Sequence, residues 1–217
     1  MAFMNNNSGG GDFTIYVKYN AKAGRWYTKG DAPDSPEYEV TDMSAVFDFT
    51  RLQTGWFLFE PGVAPDKCID ADLGQVGPKP GERHKRGFQL LVFSSKNLGG
   101  VREFGSTAGV VIDAMNLLHD AYMAAPEREQ GKLPVVRCTG VQPVTSKHGT
   151  NYQPVMAIAA WVDPPEELAN TKPEASHAAP SPAPAAPAPA APAQHAPPPT
   201  AKAPEPKQPV GAGEEMF

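Results

Sequence analysis

The stretch "FTIYVKY" alternates, with Phe13, Ile15 and Val17 on one face and Thr14, Tyr16 and Lys18 on the other, the period of two of a half-buried strand. Further on, "SAVFDFTR" sets Phe47 and Phe49 against Asp48 and Thr50, and after Gly55 "WFLFE" continues that strand or pairs with it. Residues 61–87 are rich in Pro and Gly and read as loop. "GFQLLVFSS" predicts a strand over 88–94. Val110, Val111, Ala114, Leu117, Leu118, Ala121 and Tyr122 then recur at the helical period, predicting a helix over 106–125 capped by Ser106 or Thr107 and stopped before Pro126. "PVVRCTGVQPV" and "NYQPVMAIAAWV" predict a closing hairpin across "TSKHGTN", with Gly149 at its tip and Pro143 and Pro154 marking edges or bulges.

Strands at 13–19, about 46–59 and 88–94, one helix and then two more strands give a mainly β chain in the order of a five-stranded OB-like antiparallel barrel. Such a barrel carries its helix between strands 3 and 4 and binds ligand on the face of strands 2 and 3 and in the 1–2 and 4–5 loops. An antiparallel α+β sheet with one covering helix accommodates the same elements.

Composition limits how much of the chain that fold uses. From residue 164 onward 30 of 54 residues are Ala or Pro, and the large apolar side chains are only Leu168, Val210, Met216 and Phe217. Burial on that scale does not offset the entropy of ordering the segment, so a disordered, partly polyproline II tail is expected. The organisation expected is a flexible leader at 1–11, one OB-like domain at 12–163, a disordered Ala/Pro-rich linker at 164–212 and an acidic-aromatic tip, "GEEMF", at 213–217.

Cys68 and Cys138 stand outside any C-x-x-C spacing, which predicts buried thiols in a reducing compartment with neither zinc nor a disulfide. No apolar run approaches the roughly 20 residues that span a bilayer, and "MAFMNNNSGGGD" lacks the features of a secretion signal. A soluble, cytoplasmic protein without membrane contact is therefore expected. The motifs of phosphate-loop, dinucleotide, zinc-protease and serine-hydrolase sites are missing from the sequence, so no catalytic residue, metal or cofactor is predicted.

Charge adds a location. The formal net charge is −5, yet residues 18–29 carry Lys18, Lys22, Arg25 and Lys29 with no acid, interleaved with Tyr16, Tyr19, Trp26 and Tyr27. A second island, "KPGERHKRGF", brings Lys79, Arg83, Lys85 and Arg86, and the predicted last hairpin brings Lys147 and His148. Cations track phosphates and ring faces stack on unpaired bases, so this interleaving points to a single strand rather than a duplex. The sites expected are phosphate contacts from Lys18, Lys22, Arg25, Lys29, Arg83, Lys85, Arg86 and Lys147, and stacking from Tyr16, Tyr19, Trp26, Tyr27 and Trp56. The alternative is that the rings pack a small barrel and the lysines line a solvated edge.

Basic and aromatic strands in an OB-like order, an Ala/Pro linker and "GEEMF" together resemble the single-stranded DNA-binding proteins of bacteria and their phages, and "SKHGTNYQPVMAIAAWV" looks like the closing hairpin of phage members. The resemblance implies a non-enzymatic protein that coats single-stranded DNA without sequence preference during replication, recombination and repair. It also implies a tail whose Glu214, Glu215, Met216 and Phe217 recruit replication or recombination proteins. Bacterial members carry more aspartates and a proline before the last phenylalanine, so the phage type is the closer match. Self-association is left open. The rivals are a protein-protein adaptor that binds no nucleic acid and a metal-independent hydrolase or nuclease subunit.

Overall fold

Asn20 starts the first chain reversal: its side-chain oxygen accepts from the backbone N–H groups of Lys22 and Ala23 at 3.0 and 3.2 Å. Gly24, at φ 68°, closes the turn in a conformation other residues rarely adopt. The flanking strands, β1 (Tyr16–Asn20) and β2 (Arg25–Lys29), pair antiparallel, and β3 (Glu37–Val40) adds to the far side of β2. The structure is a computed structural model that describes residues 15–32, 35–60, 65–147, 149–171 and 177–178.

β4 (Ser44–Phe47) and β5 (Gln53–Leu58) follow, separated by a one-turn 3-10 helix at Phe49–Arg51. Asp48 breaks the strand there, because its carboxylate accepts from the backbone N–H of Thr50 at 3.2 Å and competes with the ladder. Next come β6 (Asp66–Ile69), β7 (Lys85–Ser94) and β8 (Gly100–Ser106), then α1 (Gly109–Ala124) and α2 (Pro126–Glu129). The long hairpin β9 (Leu133–Ser146) and β10 (Gly149–Val162), the short α3 (Glu166–Asn170) and β11 (His177–Ala178) complete the described elements.

Among the described residues these strands form one eleven-stranded sheet in the order β10-β9-β4-β7-β8-β1-β2-β3, with β5 branching from β7, β6 from β5 and β11 from β6. Pairing is antiparallel except for β1 with β8 and β6 with β11. The mainly β class expected is the class found, but the sheet is open along this path and the pairings do not establish a five-strand barrel. β2, β3, β6 and β8 were not anticipated. They are short, charged or glycine-bearing segments whose strand character comes from their neighbours rather than from their own residues.

Register fixes which side chains share a face. Val17 lies opposite Phe104 and Phe104 opposite Leu90, and all three belong to the main core with Val111, Met115, Leu118 and Tyr122 of α1. Tyr16, Glu103 and Leu91 line up on the side away from α1. α1 matches the predicted helix, but its N-cap is Ala108; Ser106 ends β8 and accepts from the Ala108 N–H at 3.1 Å.

The folded part runs past the boundary placed at 163/164. Leu168 of α3 is 1 % exposed in a second cluster with Val46, Leu91 and Leu133, and Arg51 donates to the carbonyls of Leu168 and Thr171 at 2.5 and 2.6 Å. The start of the expected disordered linker is therefore a docked strap, because one leucine and two charge-assisted bonds hold what Ala and Pro alone would not. The chain divides into two units, Met1–Ala183 and Pro184–Phe217, and every described residue belongs to the first. The leader at 1–11, most of the linker and the tip with Glu214, Glu215, Met216 and Phe217 lie outside the described residues.

Candidate nucleic-acid interface

The β1–β2 pairing sorts the first basic island by parity. Lys18 faces Tyr27 across the ladder and Tyr19 faces Trp26. Tyr16, Lys18, Arg25, Tyr27 and Lys29 therefore share the outer face, and Val17, Tyr19, Trp26 and Thr28 turn into the core. On the outer face the Lys18 ammonium stands 5.9 Å from the ring centroids of both Tyr16 and Tyr27, a cation flanked by two flat faces.

Two of the five rings expected to stack on bases are instead core residues. Tyr19 is 8 % and Trp26 4 % exposed, with centroids 4.9 Å apart, and Trp26 lies 5.0 Å from Phe104. Burial holds the Tyr19 hydroxyl protonated, with its pKa raised to about 12, and it donates to the Tyr152 carbonyl at 3.0 Å. That bond and the Tyr152 N–H donated to the Ala21 carbonyl at 2.7 Å bring the β1–β2 turn against β10. Lys22 in that turn reaches the Thr150 carbonyl at 3.5 Å, beside the β9–β10 turn that carries exposed Lys147. His148 lies outside the described residues.

β3 changes the charge of the outer face. Glu39 sits opposite Tyr27 and Glu37 opposite Lys29, so both carboxylates join the cations. Arg25 donates to Glu39 at 2.8 Å, Lys18 pairs with Glu37, and the Tyr16 hydroxyl approaches Glu37 at 3.4 Å. The Glu39 hydrogen bond and charge raise the Arg25 pKa further.

The second island is divided between the two sides of the sheet. Arg86 faces Trp56, while Phe88, two residues along the same strand, belongs to the main core, so Arg86 and Trp56 lie on the helix side, away from Lys18. There the Arg86 guanidinium and the Lys79 ammonium sit 5.3 and 5.6 Å from the Trp56 ring, whose N–H donates to the Gly77 carbonyl at 2.8 Å. Arg86 is held by Asp70 through two bonds of 2.9 and 2.6 Å. Burial alone would raise the Asp70 pKa, but the bonds from Arg86, Thr54 and the Gly77 N–H, with the charge of Arg86, hold it at about 2. Lys85, at the next position, is exposed on the Lys18 side, and Arg83 pairs with Glu60. Arg102 is buried against Asp31 and takes no part.

A cleft of about 270 Å3 opens between α1, β5 and β7, lined by Leu52, Phe88, Ile112 and Met115 together with Arg86 and His119. Among the described residues no group of three His, Cys, Asp or Glu side chains could hold a metal ion, and no helix is long and apolar enough to cross a membrane. Tyr152, which joins the β1–β2 turn to β10, and Glu37 and Glu39 were not singled out from sequence. Their place depends on pairings between segments far apart in the chain. No family model, curated protein or solved structure matches this chain.

Proposed function

We propose that the protein binds single-stranded DNA without sequence preference, through the outer face of β1 and β2 and the two turns at one end of it. One observation carries this reading: register puts Tyr16, Lys18, Arg25, Tyr27 and Lys29 on a single outer face, Arg25 exposed and the others half-buried, with Lys18 set between two ring faces. Lys22 and Lys147 extend it at the turns. A polynucleotide laid there gains phosphate contacts from the cations and stacking on Tyr16 and Tyr27, worth about 1–3 kcal/mol per base. Exposed ion pairs such as Lys18–Glu37 are worth about 0–1 kcal/mol, so a phosphate can displace the carboxylate at small cost.

In this reading the stacking roles of Tyr19 and Trp26 are dropped, and Trp56, Arg83 and Arg86 form at most a secondary patch. The OB-like description belongs to the same proposal. It is supported by the helix falling between the third and fourth predicted strands and by the bond from Tyr152 to the β1–β2 turn. The role is non-enzymatic and placed in DNA replication and recombination in a bacterial cytoplasm, with Glu214, Glu215, Met216 and Phe217 engaging partner proteins. The adaptor reading draws on one observation, the exposed Val141 and Val155 of the β9–β10 ribbon.

Fluorescence polarisation with oligo-dT and with duplex of equal length tests the proposal. Lys22, Lys29 and Lys147 give a slope of log K against log salt of about −2.1; at Lys18 and Arg25 the phosphate replaces a carboxylate, which adds little to it. Equal affinity for duplex, or no dependence on salt, would overturn it, and failure to bind any oligonucleotide at low salt would favour the adaptor.

A further inference from the structure

β3 is the last strand on its side of the sheet and presents Glu37 and Glu39 to the proposed interface, two residues apart on the face that carries the cations. On a strand that spacing is about 6.6 Å, so the two carboxylates form a short row of anions along the edge of the face. Each is engaged: Glu37 by Lys18 and the Tyr16 hydroxyl, Glu39 by Arg25 at 2.8 Å. Glu39 lies opposite Tyr27 and Glu37 opposite Lys29. The contacts a bound phosphate row would make with Lys18 and Arg25, and the approach to Tyr16 and Tyr27, are therefore made in the free protein by its own acids.

We infer that Glu37 and Glu39 are a built-in competitor for the polyanion, which lowers affinity and sets the salt concentration at which the strand is released. The inference rests on the proposed single-strand binding at this face. It follows from the geometry that a phosphate at Lys18 or Arg25 either displaces a carboxylate or binds beside one, and in both cases that carboxylate repels the strand. Long polynucleotides, which add contacts at Lys29, Lys22 and Lys147, overcome this competition, whereas short oligonucleotides confined to Lys18 and Arg25 do not. β3 thus discriminates by length.

The test compares the full chain with Glu37→Gln/Glu39→Gln, and with Asp120→Asn/Glu129→Gln, which removes the same charge from exposed positions on α1 and at the end of α2. Binding of oligo-dT is measured between about 0.1 and 0.5 M salt. Two freed cations steepen the salt slope by about 1.4, so the advantage of the first variant over the parent grows roughly tenfold from about 0.5 M down to about 0.1 M. The gain should be larger for short than for long oligonucleotides, and the control variant should follow the parent. Parent slope and affinity in the Glu37/Glu39 variant, or an equal gain in the control, overturn the inference while leaving the binding proposal intact. A parent that binds no oligonucleotide removes the binding proposal itself. Thermal melts exclude misfolding as the cause, and Glu39→Gln alone, one pair released, should give about half the change in slope.

Discussion

Trp26 and Tyr27 are adjacent in sequence and face opposite sides of the sheet, which makes the pair a test of the whole assignment. Trp26→Ala removes a ring that is 4 % exposed and in aromatic contact with Tyr19 and Phe104. Truncation at such a site costs about 3–5 kcal/mol, a large part of the roughly 5–15 kcal/mol that holds a typical domain together. The melting temperature should fall by roughly 6–20 °C. Trp26→Phe keeps a ring and removes an indole N–H that has no hydrogen-bond partner among the described residues, so it should cost less. Tyr27→Ala removes a half-buried ring on the outer face and should cost only about 1 kcal/mol of stability, well short of the loss at Trp26. Its effect should appear in binding, as a loss of about 1–3 kcal/mol, or roughly 5- to 150-fold, for oligo-dT. Urea titration followed by circular dichroism gives the first quantity, and polarisation at a temperature where both variants are folded gives the second. If Trp26→Ala kept the parent's midpoint and weakened oligonucleotide binding, the sidedness of β2, and with it the proposed interface, would be refuted.

Two further outcomes follow from the buried charges. Because the folded pKa of Asp70 lies at about 2, below its ordinary 3.8, its contribution is fully present above about pH 4 and is lost as pH falls toward 2. The gap corresponds to about 2–3 kcal/mol, so urea midpoints of the parent should drop across that window while those of Asp70→Asn, already lower at neutral pH, change less. Arg51→Ala removes the donors that hold the carbonyls of Leu168 and Thr171, and should cost about 2–3 kcal/mol. It should also let a protease cut within 166–171 under conditions where the parent resists; an unchanged digestion pattern would mean that Leu168 alone anchors the strap.

The sequence by itself determined the elements whose residues repeat a single period long enough to be unambiguous. The apolar run of β7, the 3.6-residue spacing of α1 and the two arms of the β9–β10 hairpin are local patterns, and they fold as they read, except that Gly149, expected at the tip, is the first residue of β10 and pairs with Ser146. Pro154, without an N–H, marked an outer strand, and β10 ends the path of the sheet with a register shift after Val155. The interleaving of rings and cations in residues 16–29 was equally visible. What only the tertiary structure decided was sidedness and company. Whether Trp26 or Tyr27 turns inward depends on the pairing of β2 with β1 and of β1 with β8, contacts that no window along the chain contains. Glu37 and Glu39 reach the cationic face only because β3 folds back beside β2, so a segment without acids in sequence becomes a face with two of them in space. The same physics divided Lys85 from Arg86: successive residues on a strand point to opposite sides, so charges adjacent in the chain need not share a surface.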